Sequence, residues 1–164
     1  MNGRQVIVQE RIPGVGLDVA WPYLSLEQKK SFKKQARNVL RQLCTVEESG
    51  RGHMVKDPNI ETNGRISSLE REIMSSDSFD DLDTSFMHND FTLGNIIVDH
   101  DTIVGLIDWD RAGFFGWKKA GEVHRRVRSP QKEQFADSKL SEEKLKDLMW
   151  WNDLYDEGMP EFIG

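Results

Sequence analysis

The longest regular pattern of apolar positions lies between residues 25 and 45. Apolar side chains recur there every three or four residues, at Phe32, Ala36, Val39, Leu40 and Leu43. This spacing puts them on one face of a helix, with the cationic side chains between Lys29 and Arg37 mostly on the solvated face. Ser25 and Gln28 have the spacing of a capping box. The pattern therefore predicts a helix over residues 25–45.

Two short apolar runs rich in β-branched residues follow in the second half of the chain. They cover residues 95–98 and 103–107 and are separated by the polar sequence Asp-His-Asp-Thr at 99–102. Two such runs around a short polar connection predict a β-hairpin, with Asp99 and Asp101 as turn residues. A third apolar run, at residues 85–87, precedes the hairpin.

Weaker patterns complete the outline. Residues 67–74 fit a short helix, and Ser141 is a suitable cap for an amphipathic helix that contains Leu145 and Leu148. Val6 to Val8 predict a short strand before Pro13-Gly14, and the next glycine pattern, at 14–16, is interpreted as a turn. Residues 47–64 and the acidic residues 75–85 are expected to be loops. The resulting fold class is α+β and mostly helical.

Length and charge narrow the functional classes. A chain of 164 residues forms one domain, and its 28 acidic against 22 basic side chains give a net charge of −6. Nucleic-acid polymers are therefore unlikely partners on electrostatic grounds. The single cysteine, Cys44, cannot form an internal disulfide, and no apolar run is long enough to cross a membrane. These features predict a cytoplasmic protein without a membrane partner.

Candidate chemistry is concentrated between Phe86 and Gly113. Asp90 follows an apolar run, Asn95 comes five residues later at the hairpin entrance, and Asp108 ends the second hairpin strand. A tight hairpin brings its entrance and exit together, so Asn95 and Asp108 are expected to be neighbours. Both offer the hard oxygen ligands that Mg²⁺ prefers, which leaves the Asp90 carboxylate to orient or deprotonate a hydroxyl. Phosphoryl transfer requires this combination of groups.

The pattern His88-x-Asp90-x-x-x-x-Asn95, followed by Ile107-Asp108-Trp109-Asp110, resembles the catalytic core of the aminoglycoside phosphotransferase and choline kinase-like family. Glu10 to Gly14 and Trp21 to Ser25 are similar to the hinge and following segment of its fungal-type members. The resemblance covers residues 6–155. It implies the C-terminal lobe of a protein kinase-like fold.

Several roles are implied by this resemblance alone. Asp90 would be the catalytic base, Asn95 and Asp108 the Mg²⁺ ligands, and His88 a structural residue of the catalytic loop. The nucleotide hinge would comprise Gln9, Glu10, Arg11 and Ile12, with backbone groups facing the adenine of ATP. The family also implies a small hydroxylated acceptor, whose identity the sequence does not reveal.

The resemblance divides the single domain, residues 1–164, into four parts. These are a hinge strand at 1–14, the helix at 25–45, catalytic and metal loops at 86–113 and C-terminal helices at 118–155. The family's phosphate-binding glycine loop and its lysine would precede the hinge, which here begins within ten residues of Met1. The chain is therefore expected to be truncated at its N-terminal lobe, and inactive in isolation.

Two alternatives remain open at this level. The first is a non-catalytic remnant or binding lobe that cannot hold a nucleotide, because most of the phosphate electrostatics would be absent. The second is an iron site formed by His88, Asp90 and His124. That second arrangement usually belongs to a double-sheet barrel, for which the chain has few strand signals.

Overall fold

A computed structural model of the chain describes residues 10–46, 52–54, 66–76 and 83–156. Its helices are α1 (Leu17–Ala20), α2 (Leu26–Leu43), α3 (Ser68–Ser75), α4 (Trp117–Val123) and α5 (Glu142–Leu148). Its strands are β1 (Val15–Gly16), β2 (Gly52–His53), β3 (Phe86–Met87), β4 (Ile96–Asp99), β5 (Thr102–Leu106) and β6 (Gly113–Phe114). This mixture of helices and small antiparallel sheets agrees with the predicted α+β class. The predicted strand at residues 6–8 lies outside the described residues.

The capping box predicted before α2 is present. The Ser25 Oγ accepts a hydrogen bond from the Gln28 backbone N–H at 3.2 Å, and the Gln28 Oε1 accepts one from the Ser25 N–H at 3.0 Å. Phe32, Ala36 and Leu40 are buried along the predicted face. The prediction of this helix is confirmed, with its ends at Leu26 and Leu43.

Two lysines of α2 are buried, although the sequence predicts that the cationic side chains lie mostly on the solvated face. Lys29 and Lys33 are each only 9 % exposed, because their ammonium groups pair with Asp147 and Asp153 near the C-terminal end of the described chain. Lys29 also lies over the Trp21 ring at 5.0 Å. Long cationic side chains can pack their aliphatic parts against apolar surface while the charged ends find partners, and periodicity alone does not reveal this.

The predicted hairpin is formed by β4 and β5. Its strands extend to Asp99 and Thr102, which pair with each other, so the connection has two residues rather than the four predicted. The hairpin end is attached to α2 through side chains: Gln28 donates to the Asp101 carboxylate at 2.9 Å, and Gln35 donates to the Asp101 carbonyl at 2.8 Å. These bonds fix the hairpin relative to the long helix.

The glycine pattern at residues 14–16 is only partly a turn. Gly14 has φ of 126°, and a Cβ atom there would collide with the Val98 carbonyl. Val15 and Gly16 form β1, which pairs antiparallel with Val98 and Ile97 of β4. The interpretation of the whole segment as a turn is therefore wrong for these two residues, because the close approach at Gly14 brings the chain onto the hairpin edge.

The second sheet has the order β2-β6-β3, and β6 in its centre lies just beyond the hairpin in sequence. Ser67 and Ser141 cap α3 and α5 by accepting hydrogen bonds from the backbone N–H three residues ahead, as the short-helix predictions require. Asp83 accepts a hydrogen bond from the Trp117 N–H at 2.8 Å and so holds the start of α4. The predicted loops are described only at residues 52–54, where β2 lies, and at 75–76 and 83–85.

The core packs α2 against the hairpin and the C-terminal segment. Trp21 and Trp151 meet edge to face at 5.8 Å, and Trp117 is buried against Tyr155. Cys44 is also buried, and burial raises its pKa to about 11, so it behaves as a small apolar side chain. Among the described residues, no helix combines the length and apolar character that a membrane crossing needs.

Candidate active site

Asp90 lies in the loop between β3 and the 3-10 turn Leu93–Asn95. Its backbone is fixed on both sides. The Asp90 N–H donates to the Nδ1 atom of His88 at 3.3 Å, and the Asp90 carbonyl accepts from the Asn95 amide at 2.9 Å. The preceding residue, Asn89, is in the left-handed region with φ of 60°. This conformation is uncommon for a residue with a side chain and is found preferentially at functional sites.

His88 connects this loop to the end of the hairpin. It is completely buried, and its Nε2 atom lies 3.0 Å from the Ile107 carbonyl. Because Nδ1 accepts the Asp90 N–H, the ring proton must be on Nε2, which donates to that carbonyl. Burial lowers the pKa of His88, so the ring is neutral at ordinary pH. The side chain therefore ties the Asp90 loop to the residue before Asp108.

The hairpin ladder places Asn95 opposite Ile107, the residue before Asp108. Ile96 pairs with Leu106, and the Ile107 N–H donates to the Asn95 carbonyl at 3.0 Å. The Asn95 amide nitrogen donates to the Asp90 carbonyl. The Asn95 Oδ1 atom is the type of oxygen that binds a cation. The hydrogen bonds thus link Asp90 and Asn95 to Ile107, the residue before Asp108.

Asp108 occupies an exposed and strained position at the end of β5. Its φ and ψ are 62° and 61°, the left-handed conformation. Partial burial of the carboxyl group raises its pKa, and a hydrogen bond and the negative charge of Asp110 act in the same direction, as does the charge of Asp90. A carboxylate surrounded by other carboxylates is a favourable place for a cation.

The donor set fits Mg²⁺ in type and number. The described residues include no group of three or more His, Cys, Asp or Glu side chains arranged to hold a metal. Asn95 and Asp108 would supply two oxygen ligands, and Mg²⁺ commonly completes its shell with water and substrate phosphates. His88 and His124 each bond a backbone carbonyl, at Ile107 and Trp151, so the three-ligand iron site is not formed by the described residues.

Trp109 forms an aromatic layer beside the candidate site. Its ring is parallel to that of Phe86 within 5°, with centroids 6.2 Å apart, and it contacts His88 at 4.5 Å. The indole N–H donates to the Leu106 carbonyl at 3.0 Å. One part of the ring remains accessible, since the residue is 38 % exposed.

The sequence analysis missed three charged residues that surround Asp90. Arg128 places its Nε atom 3.2 Å from Asp90 Oδ1, and Arg111 places its Nε atom 3.7 Å from Asp90 Oδ2. Both arginines also contact Glu70, whose side chain is completely buried in α3. One signal was present: Glu70 lies three residues before the buried Ile73, so it shares the helix face that packs inward.

The predicted hinge residues are described in part. Glu10 and Arg11 are exposed, whereas the Ile12 side chain packs so closely on Gly105 of β5 that a Cβ atom there would collide with it. This contact places the segment along the hairpin. Gln9 lies outside the described residues, and the structure does not test a nucleotide contact for the other three.

A carboxylate on an ordered loop, with an amide and a second carboxyl group at the nearby hairpin end, is the kind of arrangement that phosphoryl transfer uses. The sequence of residues 26–114 matches the model of the phosphotransferase enzyme family, APH, over more than half of the 164 residues. The chain belongs to this family. The matched region contains Asp90, Asn95 and Asp108. Among curated proteins, none matches the chain significantly.

Proposed function

We propose that the chain is an ATP-dependent O-phosphotransferase of the kinase-like type that acts on a small hydroxylated molecule. The observation that carries this proposal is the set of hydrogen bonds that joins Asp90 to Asn95 and joins both of them, through His88 and the Asn95 carbonyl, to Ile107, the residue before Asp108. Family membership supports the reaction class. The acceptor and the choice of nucleotide are assigned here only by chemical class.

In this proposal Asp90 is the base that receives or orients the acceptor hydroxyl. Its side chain is 16 % exposed, so a substrate can reach it, while its backbone is held at both the N–H and the carbonyl. His88 keeps the loop in place and takes no part in proton transfer, since burial lowers its pKa and both ring nitrogens are engaged.

Asn95 and Asp108 would hold Mg²⁺, which when bound neutralises charge on the phosphates. Residues 10–12, with Gln9 before them, would form the hinge for the adenine, and their proximity to β5 supports this position. We further propose that residues 10–156 correspond to the C-terminal lobe of the kinase-like fold in its fungal-type form. A cytoplasmic location is part of the same proposal.

The test is phosphoryl transfer from ATP labelled at the γ-phosphate. The full chain is incubated with Mg²⁺ and a set of hydroxylated small molecules, including sugars, amino sugars and amino alcohols. Transfer by this chain would show that the expectation of inactivity in isolation is wrong. Asp90→Asn is expected to lower transfer by about 100- to 10,000-fold, the range for loss of a general base. Asp99→Asn, at the exposed end of β4, is the matched control and should leave transfer unchanged.

Two results would contradict the proposal. Transfer that survives Asp90→Asn at the normal rate would remove Asp90 from the reaction. If the wild-type chain transfers no phosphate and binds no Mg²⁺-nucleotide, a non-catalytic lobe becomes the better description.

A further inference from the structure

The buried Glu70 side chain is the most unusual charge among the described residues. It is completely inaccessible and lies on α3, held at the start of that helix by the Ser67 cap. A buried carboxylate is costly unless cations or donors compensate it. Glu70 has such partners in Arg111, Arg128 and the Asn89 amide, which lies 3.4 Å from its Oε1 atom.

The two arginines join Glu70 to Asp90 in a closed ring of alternating charges. Arg128 lies between Glu70 Oε1, at 2.6 Å, and Asp90 Oδ1, at 3.2 Å. Arg111 lies between Glu70 Oε2, at 3.4 Å, and Asp90 Oδ2, at 3.7 Å. Each of the four carboxylate oxygens therefore faces one guanidinium group. Rotation of the Asp90 carboxylate would move both of its oxygens away from their partners.

The distances in this ring are unequal in an informative way. Both arginines are closer to Glu70 than to Asp90, and the Arg128 Nε atom lacks hydrogen-bond geometry toward Asp90 although it forms an ion pair with it. Glu70 thus carries the strong contacts and Asp90 the weak ones. The lone pairs of Asp90 remain available for an acceptor hydroxyl while its carboxylate plane is fixed.

We propose that Glu70 is a positioning residue for Asp90 and that it acts through Arg111 and Arg128. Without the Glu70 carboxylate, both guanidinium groups would keep Asp90 as their shared partner and would occupy the oxygens that the acceptor needs. The inference rests on the proposed function, because it assigns Asp90 the base role. It adds residues outside the loop and hairpin, and Arg128 lies beyond the region matched to the family.

The kinetic test compares Glu70→Gln with Glu72→Gln, an exposed position on the same helix. Glu70→Gln is expected to lower kcat by up to about 100-fold, the effect of misplacing a reactive group by about 1 Å. The KM for Mg²⁺-ATP should change by less than about twofold, because the ring orients the base and holds no nucleotide. Glu72→Gln should match the wild type. Equal losses in both variants, or a change confined to KM, would overturn the proposal.

Arg128→Lys provides a second variant in case Glu70→Gln folds poorly. Lysine retains the charge but lacks the planar fork that reaches two carboxylates at once, so kcat should again fall with KM unchanged. A lysine variant with wild-type kcat would show that the charge alone suffices and would overturn the role of the ring.

A stability cycle tests the ring even if the wild-type chain transfers no phosphate, a result that would count against the proposed function alone. Urea unfolding is measured for Glu70→Gln, Asp90→Asn and the double variant. Since both carboxylates share two arginines, the changes in unfolding midpoint should be non-additive. Additive changes would show that Glu70 and Asp90 are independent, and the positioning role would be rejected.

Discussion

Two aspartates in the candidate site occupy opposite electrostatic surroundings. Asp90 is largely buried and faces two guanidinium groups, whereas Asp108 is exposed and faces the carboxyl group of Asp110. An aspartate side chain therefore faces cations in the loop, at Asp90, and a carboxyl group at the end of β5, at Asp108. Asp108 also adopts a left-handed backbone conformation that Asp90 does not share.

The difference shows how one residue type can serve two tasks. The two guanidinium groups beside Asp90 fix the direction of its carboxylate, which suits a group that orients a hydroxyl. Partial burial and the neighbouring carboxyl groups of Asp110 and Asp90 raise the pKa of Asp108, although Arg111 acts in the opposite direction, and carboxyl groups close together suit a site for a divalent cation. Pairs of carboxyl groups with contrasting environments are a general sign of divided roles.

The largest expected effect comes from neutralising either aspartate. Asp90→Asn should lower kcat by about 100- to 10,000-fold, and added Mg²⁺ should not restore it, because the lost group is the base. Asp108→Asn should also lower kcat, but the loss should shrink as Mg²⁺ is raised, because the variant has a weaker metal site. Steady-state rates measured across a Mg²⁺ titration check both.

The different roles assigned to Asp90 and Asp108 would be contradicted if the two variants responded to Mg²⁺ in the same way. Asp99→Asn, at the end of the hairpin opposite to Asn95 and Asp108, is the control for a negative charge removed outside the site. Its rate should follow that of the wild type at every Mg²⁺ concentration.

The hairpin side of the site was predictable from sequence because its determinants are local. The spacing of apolar runs specified β4 and β5, and strand pairing then placed Asn95 opposite Ile107, the residue before Asp108. The same holds for α2, whose cap and apolar face lie within one segment. Local patterns of this kind carry the information that sequence reasoning uses best.

The Asp90 side was only half predictable. His88 and Asp90 belong to one short motif, but Glu70 and Arg128 lie 20 and 38 positions away from Asp90 in sequence, on separate helical segments. Nothing in the periodicity of α3 says which arginine will meet its glutamate. The buried Lys29 and Lys33 were misplaced for the same reason, since their partners lie more than 100 residues away.

The next largest effect is expected on stability at acid pH, because the segment that carries Arg128 also contains a buried histidine, His124. Burial lowers the pKa of His124 from 6.5 to about 4. The unfolded chain therefore binds a proton more readily, so the stabilising contribution is complete above pH 6.5 and is lost as the pH falls toward 4. At about 1.4 kcal/mol per pKa unit, the loss is about 3 kcal/mol.

The measurement is urea unfolding at several pH values between 4 and 7. His124→Gln should flatten the dependence, although the lowered pKa values of His88 and His53 leave some slope. His100→Gln changes an exposed histidine of the hairpin turn and should retain the wild-type dependence. A wild-type slope in His124→Gln would show that another group controls the acid sensitivity.

Mg²⁺ should stabilise the folded protein only when the Asp108 carboxylate is present. Mg²⁺ at 100 times its Kd stabilises a folded protein by about 2.7 kcal/mol if it binds only the folded state. Thermal unfolding with Mg²⁺ or with EDTA should show this difference for the wild type and for Asp90→Asn. Asp108→Asn should lose most of it. Equal stabilisation of all three proteins would place the metal elsewhere and remove the contrast between the two aspartates.

The smallest expected effect comes from removing the helix caps of the two helices that support Asp90 and the hairpin. Ser67 caps α3, which carries Glu70, and Ser25 caps α2, which holds the hairpin. Replacing either cap with alanine should lower the free energy of unfolding by about 1 kcal/mol. Only Ser67→Ala should also reduce kcat, because fraying of the first turn of α3 moves Glu70 and, through the arginines, Asp90. Ser25→Ala is the control, because it should cost the same stability. An equal drop in kcat in Ser25→Ala would mean that general loosening of the fold governs the orientation of Asp90, and not the Glu70 ring.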